Sequence, residues 1–182
     1  MPEKVSSPTE SLILVDDQDQ AIGFASKHDC HAGKGQLHRA FSVFLFNKDG
    51  ELLLQQRSQE KPLWPGYWSN SCCSHPRQSE DMEAAVQRRV KEELGLSCEL
   101  SYLYKFKYHA PFGDAGSERE FCSVYAGHYQ GEILAHPEEI AAVRHLSPQA
   151  LTEEMKASPE SFTPWFKMEW QVICRDHLSD IL

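Results

Sequence analysis

The sequence predicts an α+β domain, with helices layered on a β-sheet. Three observations lead there. Strand-like apolar runs fill the middle of the chain, from "FSVFLF" at 41–46 to "EREFCSVYAGHY" at 118–129. A long amphipathic helix, "SEDMEAAVQRRVKEEL" at 79–94, interrupts them. Two more helical stretches follow, opened by Ser-Pro at 147–148 and Thr-Pro at 163–164. Strands that dominate the middle with helices scattered around them pack as an α/β/α sandwich.

The elements follow in order. "SLILV" (11–15) is a strand, "DDQDQ" a polar turn, and "AIGF" resumes extended chain. "FSVFLF" and "ELLLQQR" (51–57) flank the turn "NKDG", so 41–57 is predicted as a hairpin. "KPLWPGYWSNSCCSHP" (61–76) carries three prolines and one glycine, which predicts an irregular loop. Ser79 is the expected cap of the long helix and Gly95 its stop. Met82, Ala85, Val86 and Val90 form its apolar stripe, yet Arg89 and Glu93 lie on that stripe too. An inward charge pair is either a structural ion pair or a working one. "CELSYLYKFKY" (98–108) and "EREFCSVYAGHY" read as strands joined by a loop at 109–117, and "IAAVRHL" (140–146) as another. The last two helices are capped by Ser147 and Thr163, each with proline at the first turn.

The 182 residues suffice for one domain, expected over 11–182 behind a flexible tail at 1–10. A net charge of −9 argues against nucleic-acid or anionic-membrane partners, but not against an anionic small molecule in a basic pocket. No apolar run reaches the roughly 18 residues of a membrane span. The start, "MPEKVSSPTE", lacks a basic-then-apolar leader, so a cytoplasmic protein is expected. The six cysteines are then expected as reduced thiols, with Cys30, Cys98, Cys122 and Cys174 as ordinary packed residues. Neither heptads nor a clear apolar patch is visible, so a monomer is expected.

Phosphate-loop, dinucleotide, hydrolase-elbow and CxxC motifs are absent from the sequence. What remains is a spread set of nitrogen and oxygen donors: His31, His38, His75, Glu118 and Glu120. The two glutamates, two apart on a strand, face one side. Such a set suits manganese, iron, zinc or magnesium rather than a soft thiolate metal. "NSCCSHP" (70–76) leaves four readings open: a disulfide, half of a zinc site, a nucleophile, or a proton-handling thiol.

The helix pattern "RRVKEELGL" (88–96) resembles the Nudix signature: Glu80, Arg88, Val90, Glu92, Glu93, Gly95 and Leu96 match it. Ser74 replaces its first glycine and Arg89 the first glutamate of its core. Together with "LHRAFSVFLFN", "WPGYWSNSCCSHP", "EREFC" and "TPWF", the chain resembles type 1 isopentenyl-diphosphate delta-isomerases over roughly residues 11 to 175. The resemblance implies a Nudix-like mixed sheet. It also implies reversible isomerisation of isopentenyl to dimethylallyl diphosphate through a tertiary carbocation, supplying isoprenoid synthesis. It makes Cys73 and Glu120 the proton-handling pair, with Tyr108 nearby, and leaves Cys72 a bystander. Trp165 would face the cation, with Trp64 and Trp68 walling the cavity or pinning the loop. Lys27, Arg57, Lys61 and Arg89 would hold the diphosphate. Magnesium is expected on Glu93 and the Cys73 carbonyl, and manganese or zinc on the three histidines and two glutamates. Two rivals follow from the same residues: a Nudix hydrolase of a nucleoside diphosphate derivative, and a non-catalytic diphosphate-binding module.

Overall fold

A computed structural model describes residues 4–182. Its centre is strand β3 (His38–Phe46), whose run of apolar residues reflects burial on both faces. Along one edge it pairs in parallel with β8 (Gly116–His128), from His38↔Glu120 to Phe46↔His128. Its other edge is shared. β1 (Ser11–Val15) meets it at His38, β6 (Cys72–Ser74) at Phe41–Val43, and β4 (Leu52–Arg57) at Phe46. β2 (Ala21–Ser26) pairs with β1, and β5 (Trp68–Ser69) with β4. β7 (Ser101–Phe112) pairs with β8, and β9 (Ile140–Leu146) with β4. Parallel and antiparallel neighbours coexist, so the sheet is mixed.

Helices cover both faces. Phe41, Val43 and Leu45 of β3 pack with Ala85, Val86 and Val90 of α2 (Met82–Leu94; a five-residue α1, Lys27–His31, precedes it). Phe44 and Phe46 pack on the other side against Leu151 of α3 (Pro148–Ala157) and Phe166 and Trp170 of α4 (Pro164–Val172). The chain then passes through a single π turn, Ile173–His177, into α5 (Leu178–Ile181).

Several expectations need correction. The cap of α2 is Asp81, whose carboxylate accepts from the Glu83 and Ala84 amides; Ser79 sits at φ 63° in the turn before it. Gly95 does end the helix, at φ 70°. The loop expected at 109–117 is mostly strand, because β7 and β8 pair to the tip of their hairpin at Phe112↔Gly116. The loop expected over 61–76 contains β5 and β6: proline blocks strand only where it stands, and residues 72–74 have none. Hairpin 41–57 keeps only its turn-side pair, Phe46↔Leu52, since β6 takes β3's edge beyond it. Cys174 is exposed rather than packed.

Of the expected flexible tail, residues 1–3 lie outside the described residues. Residues 4–10 lie against the body: Arg89 donates to the Val5 carbonyl at 2.6 Å, Lys27 to Ser6 Oγ, and Arg77 to Glu10 at 2.6 Å. Among the described residues, no helix is long and apolar enough to cross a membrane.

Candidate active site

A cavity of about 510 Å³ opens where α1, the 61–75 segment, α2 and the β7–β8 hairpin converge. The sequence brings these together by close contacts. Gly116, at φ 148°, lets β8 approach the His31 carbonyl, where a Cβ would stand only 2.4 Å away. Ser117 Oγ donates to the Gly33 carbonyl at 2.8 Å. These contacts hold His31 beside Glu118.

At one end of the cavity His31, His38, His75, Glu118 and Glu120 place one donor atom each within 4.8 Å of all the others. His31 and His38 come from either side of the Gly33–Gly35 turn. Their Nδ1 atoms are engaged by the Lys27 and Gln36 carbonyls at 2.6 and 2.7 Å, which leaves Nε2 aimed inward. His75 Nε2 and His38 Nε2 lie 2.9 and 3.5 Å from Glu120 Oε1, and His31 Nε2 lies 2.9 Å from Glu118 Oε2. His38 Nε2 is buried, and its contact with Glu120 is too long for a good hydrogen bond. An orphaned, inward-facing nitrogen among four other donors fits a divalent metal ion held by nitrogen and oxygen.

Charges at this end oppose one another. Burial lowers His31, but the charge and hydrogen bond of Glu118 outweigh it and raise it to about 9. Burial, then the neighbouring His38 and His31, push His75 well below its usual range. Burial would raise Glu120, but hydrogen bonding and charge from His38, with Glu118 and Tyr108, hold it down to about 2. Tyr108 donates to Glu120 Oε2 at 2.6 Å.

The adjacent cysteines part company across β6. Cys72 is fully buried in the α2-side core, whereas Cys73 faces the opposite side and lines the cavity. This is the period-two alternation of a strand. The Cys73 residue stays partly open toward the cavity, but its desolvated thiol is pushed up to about 12. Trp165, at the first turn of α4, lines the cavity with its indole Nε1 unpartnered, and its ring packs edge-on against Trp64 at 5.2 Å. Trp64 sits behind Trp165 at φ 48°, and Trp68 lies under Arg144; neither lines the cavity.

At the other end Lys27, Arg57, Lys61 and Arg89 all reach the wall. Burial, aided by Lys61 and Arg89, pushes Lys27 down to about 8. Arg57 is partly occupied: its Nη2 donates to the Leu63 carbonyl at 2.8 Å and its guanidinium lies 5.3 Å from the Trp165 ring centroid. Arg89 is engaged by Glu93, by Glu139 at 3.3 Å and by the Val5 carbonyl. Glu93 does not line the cavity; Arg89 and Gln55 hold its carboxylate behind the wall.

Two buried carboxyls were missed. Glu139, bound to Lys61 and Arg89, lines the basic end. Glu169 lies behind Trp165, one helical turn on, with Oε1 3.7 Å from Cys122 Sγ and Oε2 unpartnered. Both left a trace: an acid opening an apolar strand in "PEEI", and an acid on the buried stripe Trp165, Phe166, Trp170.

A NUDIX domain matches residues 36–166. Isopentenyl-diphosphate Delta-isomerase 1 of Photorhabdus laumondii is 41% identical over 174 residues, 94% of this chain and 99% of that protein. The chain belongs to the isopentenyl-diphosphate Delta-isomerase family. Within that family, the protein so named from Serratia proteamaculans is 46% identical over 157 residues, 86% of this chain and 87% of its own. Among solved structures, DR0079 from Deinococcus radiodurans superposes with a TM-score of 0.68 at 26% identity, over 81% of this chain and 90% of that one. A MutT protein from Methanosarcina mazei shares the fold at TM-score 0.63 and 17% identity, over 77% and 94%. The Nudix-like mixed sheet expected from the sequence is thus the observed fold.

Proposed function

We propose that the protein interconverts isopentenyl and dimethylallyl diphosphate by adding a proton to the alkene on one side and removing one from another carbon. The observation that carries this reading is that one cavity is lined by a thiol, Cys73, and by a carboxylate, Glu120, which Tyr108 holds by a hydrogen bond. An alkene is a very weak base, so its isomerisation needs an acid and a base set around it. Cys73 holds one proton to give and Glu120 one place to receive it.

In one direction the Cys73 S–H bond breaks, its proton forms a C–H bond at the terminal carbon, and a tertiary cation results. Glu120 takes the proton from the neighbouring carbon, whose C–H electrons become the new double bond. Thiolate and carboxylic acid return to their starting states through exchange with water, and the roles reverse in the other direction. Tyr108 holds the Glu120 carboxylate by its hydrogen bond. Trp165 offers the cation a π face in a water-poor wall, worth about 2 kcal/mol when desolvated.

A manganese or zinc ion held by His31, His38, His75, Glu118 and Glu120 would supply positive charge that orients Glu120 and lowers its proton affinity. Lys27, Arg57, Lys61 and Arg89 serve the diphosphate. Glu93, if released by Arg89, would with the Cys73 carbonyl hold a magnesium ion that offsets part of the diphosphate charge. Arg89 at the metal-binding position of the Nudix helix speaks against hydrolysis, which would need a carboxylate there.

Incubation with isopentenyl diphosphate and magnesium in deuterated water tests the reading. Isomerisation yields deuterated dimethylallyl diphosphate. Release of phosphate instead supports a hydrolase, and binding with neither product supports a binding module.

A further inference from the structure

The basic end of the cavity is already neutralised in part by the protein itself. Glu139 is 4% exposed and its Oε2 engages the Lys61 ammonium and, at 3.3 Å, Arg89 Nη2. Its backbone is fixed on both sides: its amide donates to the His136 carbonyl at 3.1 Å, and its carbonyl accepts from Ser58 at 3.0 Å. What places the carboxyl is its buried position and its two cationic partners. Burial would raise it, but the charges of Lys61 and Arg89 hold it down to about 2, so it is ionised.

We infer that Glu139 is an internal counter-ion that competes with the diphosphate for Lys61 and Arg89, and thereby keeps substrate and product releasable. The inference rests on the isomerase reading for its biological sense, because isomerisation leaves the diphosphate unchanged. Any grip on it is felt equally by substrate, transition state and product. Uniform grip lowers KM without raising kcat, and too much of it retains product. Four cations around one small anion would grip hard, and the part-buried Lys61 ammonium, whose acid partner is Glu139 where Arg89 also has Glu93, would be costly to leave uncompensated between turnovers. One fixed carboxylate meets both problems. It pairs the cations while the site is empty and reduces the net attraction when the anion arrives.

A purely structural Glu139 and a competing one differ in sign. If it only orients Lys61 and Arg89, its loss weakens anion binding; if it competes, its loss strengthens binding. The test is calorimetric titration of the full chain with inorganic pyrophosphate, once in chelator and once with magnesium. Glu139→Gln is expected to bind about tenfold tighter in both conditions, from removal of one partly screened charge. Lys61→Gln in the same background should cancel most of that gain. In isomerisation assays KM should fall by up to about tenfold while kcat does not rise, and kcat should fall as well where product release limits turnover. If Glu139→Gln folds poorly, Glu139→Asp, which draws the charge back from Lys61, should tighten binding to a smaller extent. Unchanged or weaker pyrophosphate binding overturns the inference, as does a loss confined to the magnesium arm, which would make Glu139 a metal ligand. Pyrophosphate needs no catalysis, so failure of the isomerase reading would leave this result legible on its own.

Discussion

The two ends of the cavity treat buried charge in opposite ways. At the metal-ligand end, backbone carbonyls lock two imidazoles, Nε2 atoms converge, and the buried His38 Nε2 has only a loose contact, at 3.5 Å, with Glu120. At the basic end every described contact of Arg89 and Lys61 closes on the protein's own acids or carbonyls. The first end is preorganised and incomplete, whereas the second is closed on itself except at Arg89 Nε, which is buried without a partner, and must exchange partners to bind anything. Glu169 marks a third condition: a buried carboxyl with no cation, pushed up to about 8 by burial, where Glu139 beside two cations is held down to about 2. Burial alone does not set a carboxyl's charge; its neighbours do.

The comparison breaks first at the proton pair. Cys73→Ala and Glu120→Gln should each lower kcat/KM for isomerisation by about 1,000-fold, with circular dichroism and pyrophosphate binding retained. Full activity in either variant removes that side chain from the proton chemistry. Next comes the incomplete end. His38→Ala should empty the nitrogen–oxygen site, read as metal per chain by mass spectrometry of the purified protein, and cost about 100-fold in activity. Pyrophosphate binding in chelator should change far less, because none of the four basic side chains is a donor of that cluster. A matching loss of both would show that the ends are one site.

A smaller effect separates Glu169 from Glu139. The groups facing Glu169 are Cys122 and Glu120 from β8, Cys73 from β6 and Tyr104 from β7, with Ser42 as a neutral partner; none is a cation. Its folded-state proton affinity is raised, so between about 4.5 and about 8 the folded chain holds a proton that the unfolded chain has lost. Stability from this group is present below that window and declines through it by about 1.4 kcal/mol per pH unit. Glu169→Gln should flatten that decline in denaturant titrations across the window; an unchanged slope would mean that the carboxyl is already ionised and paired. The smallest effect on turnover belongs to Cys72→Ala. It should cost about 1–2 kcal/mol of stability, as a buried truncation does, and change kcat less than about twofold. A severe loss of turnover would exchange the roles of the two sulfurs.

Much of this was legible in the chain because it is local. The apolar stripe of α2 with its inward Arg89 and Glu93, the Ser-Pro start of α3, Gly95 as a stop and "IAAVRHL" as β9 each follow from residues within a few positions of one another. The hairpin tip at 109–117 was misread for the opposite reason. Its proline and two glycines look like loop, yet pairing with β8 extends the strand to Phe112. The candidate donors could be named from sequence, but the lock on their Nδ1 atoms could not, since it depends on backbone carbonyls in a folded turn.

What the sequence alone determined is the kind of chemistry available: which side chains donate, accept or carry charge. Only the tertiary structure decided which face is the cavity, that Arg89 is shared between Glu93 and Glu139, and that Glu169 has no cation. Charge is a property of a residue, but its compensation also depends on neighbours far along the chain, as Glu139 lies 78 positions from Lys61, and folding alone brings those together.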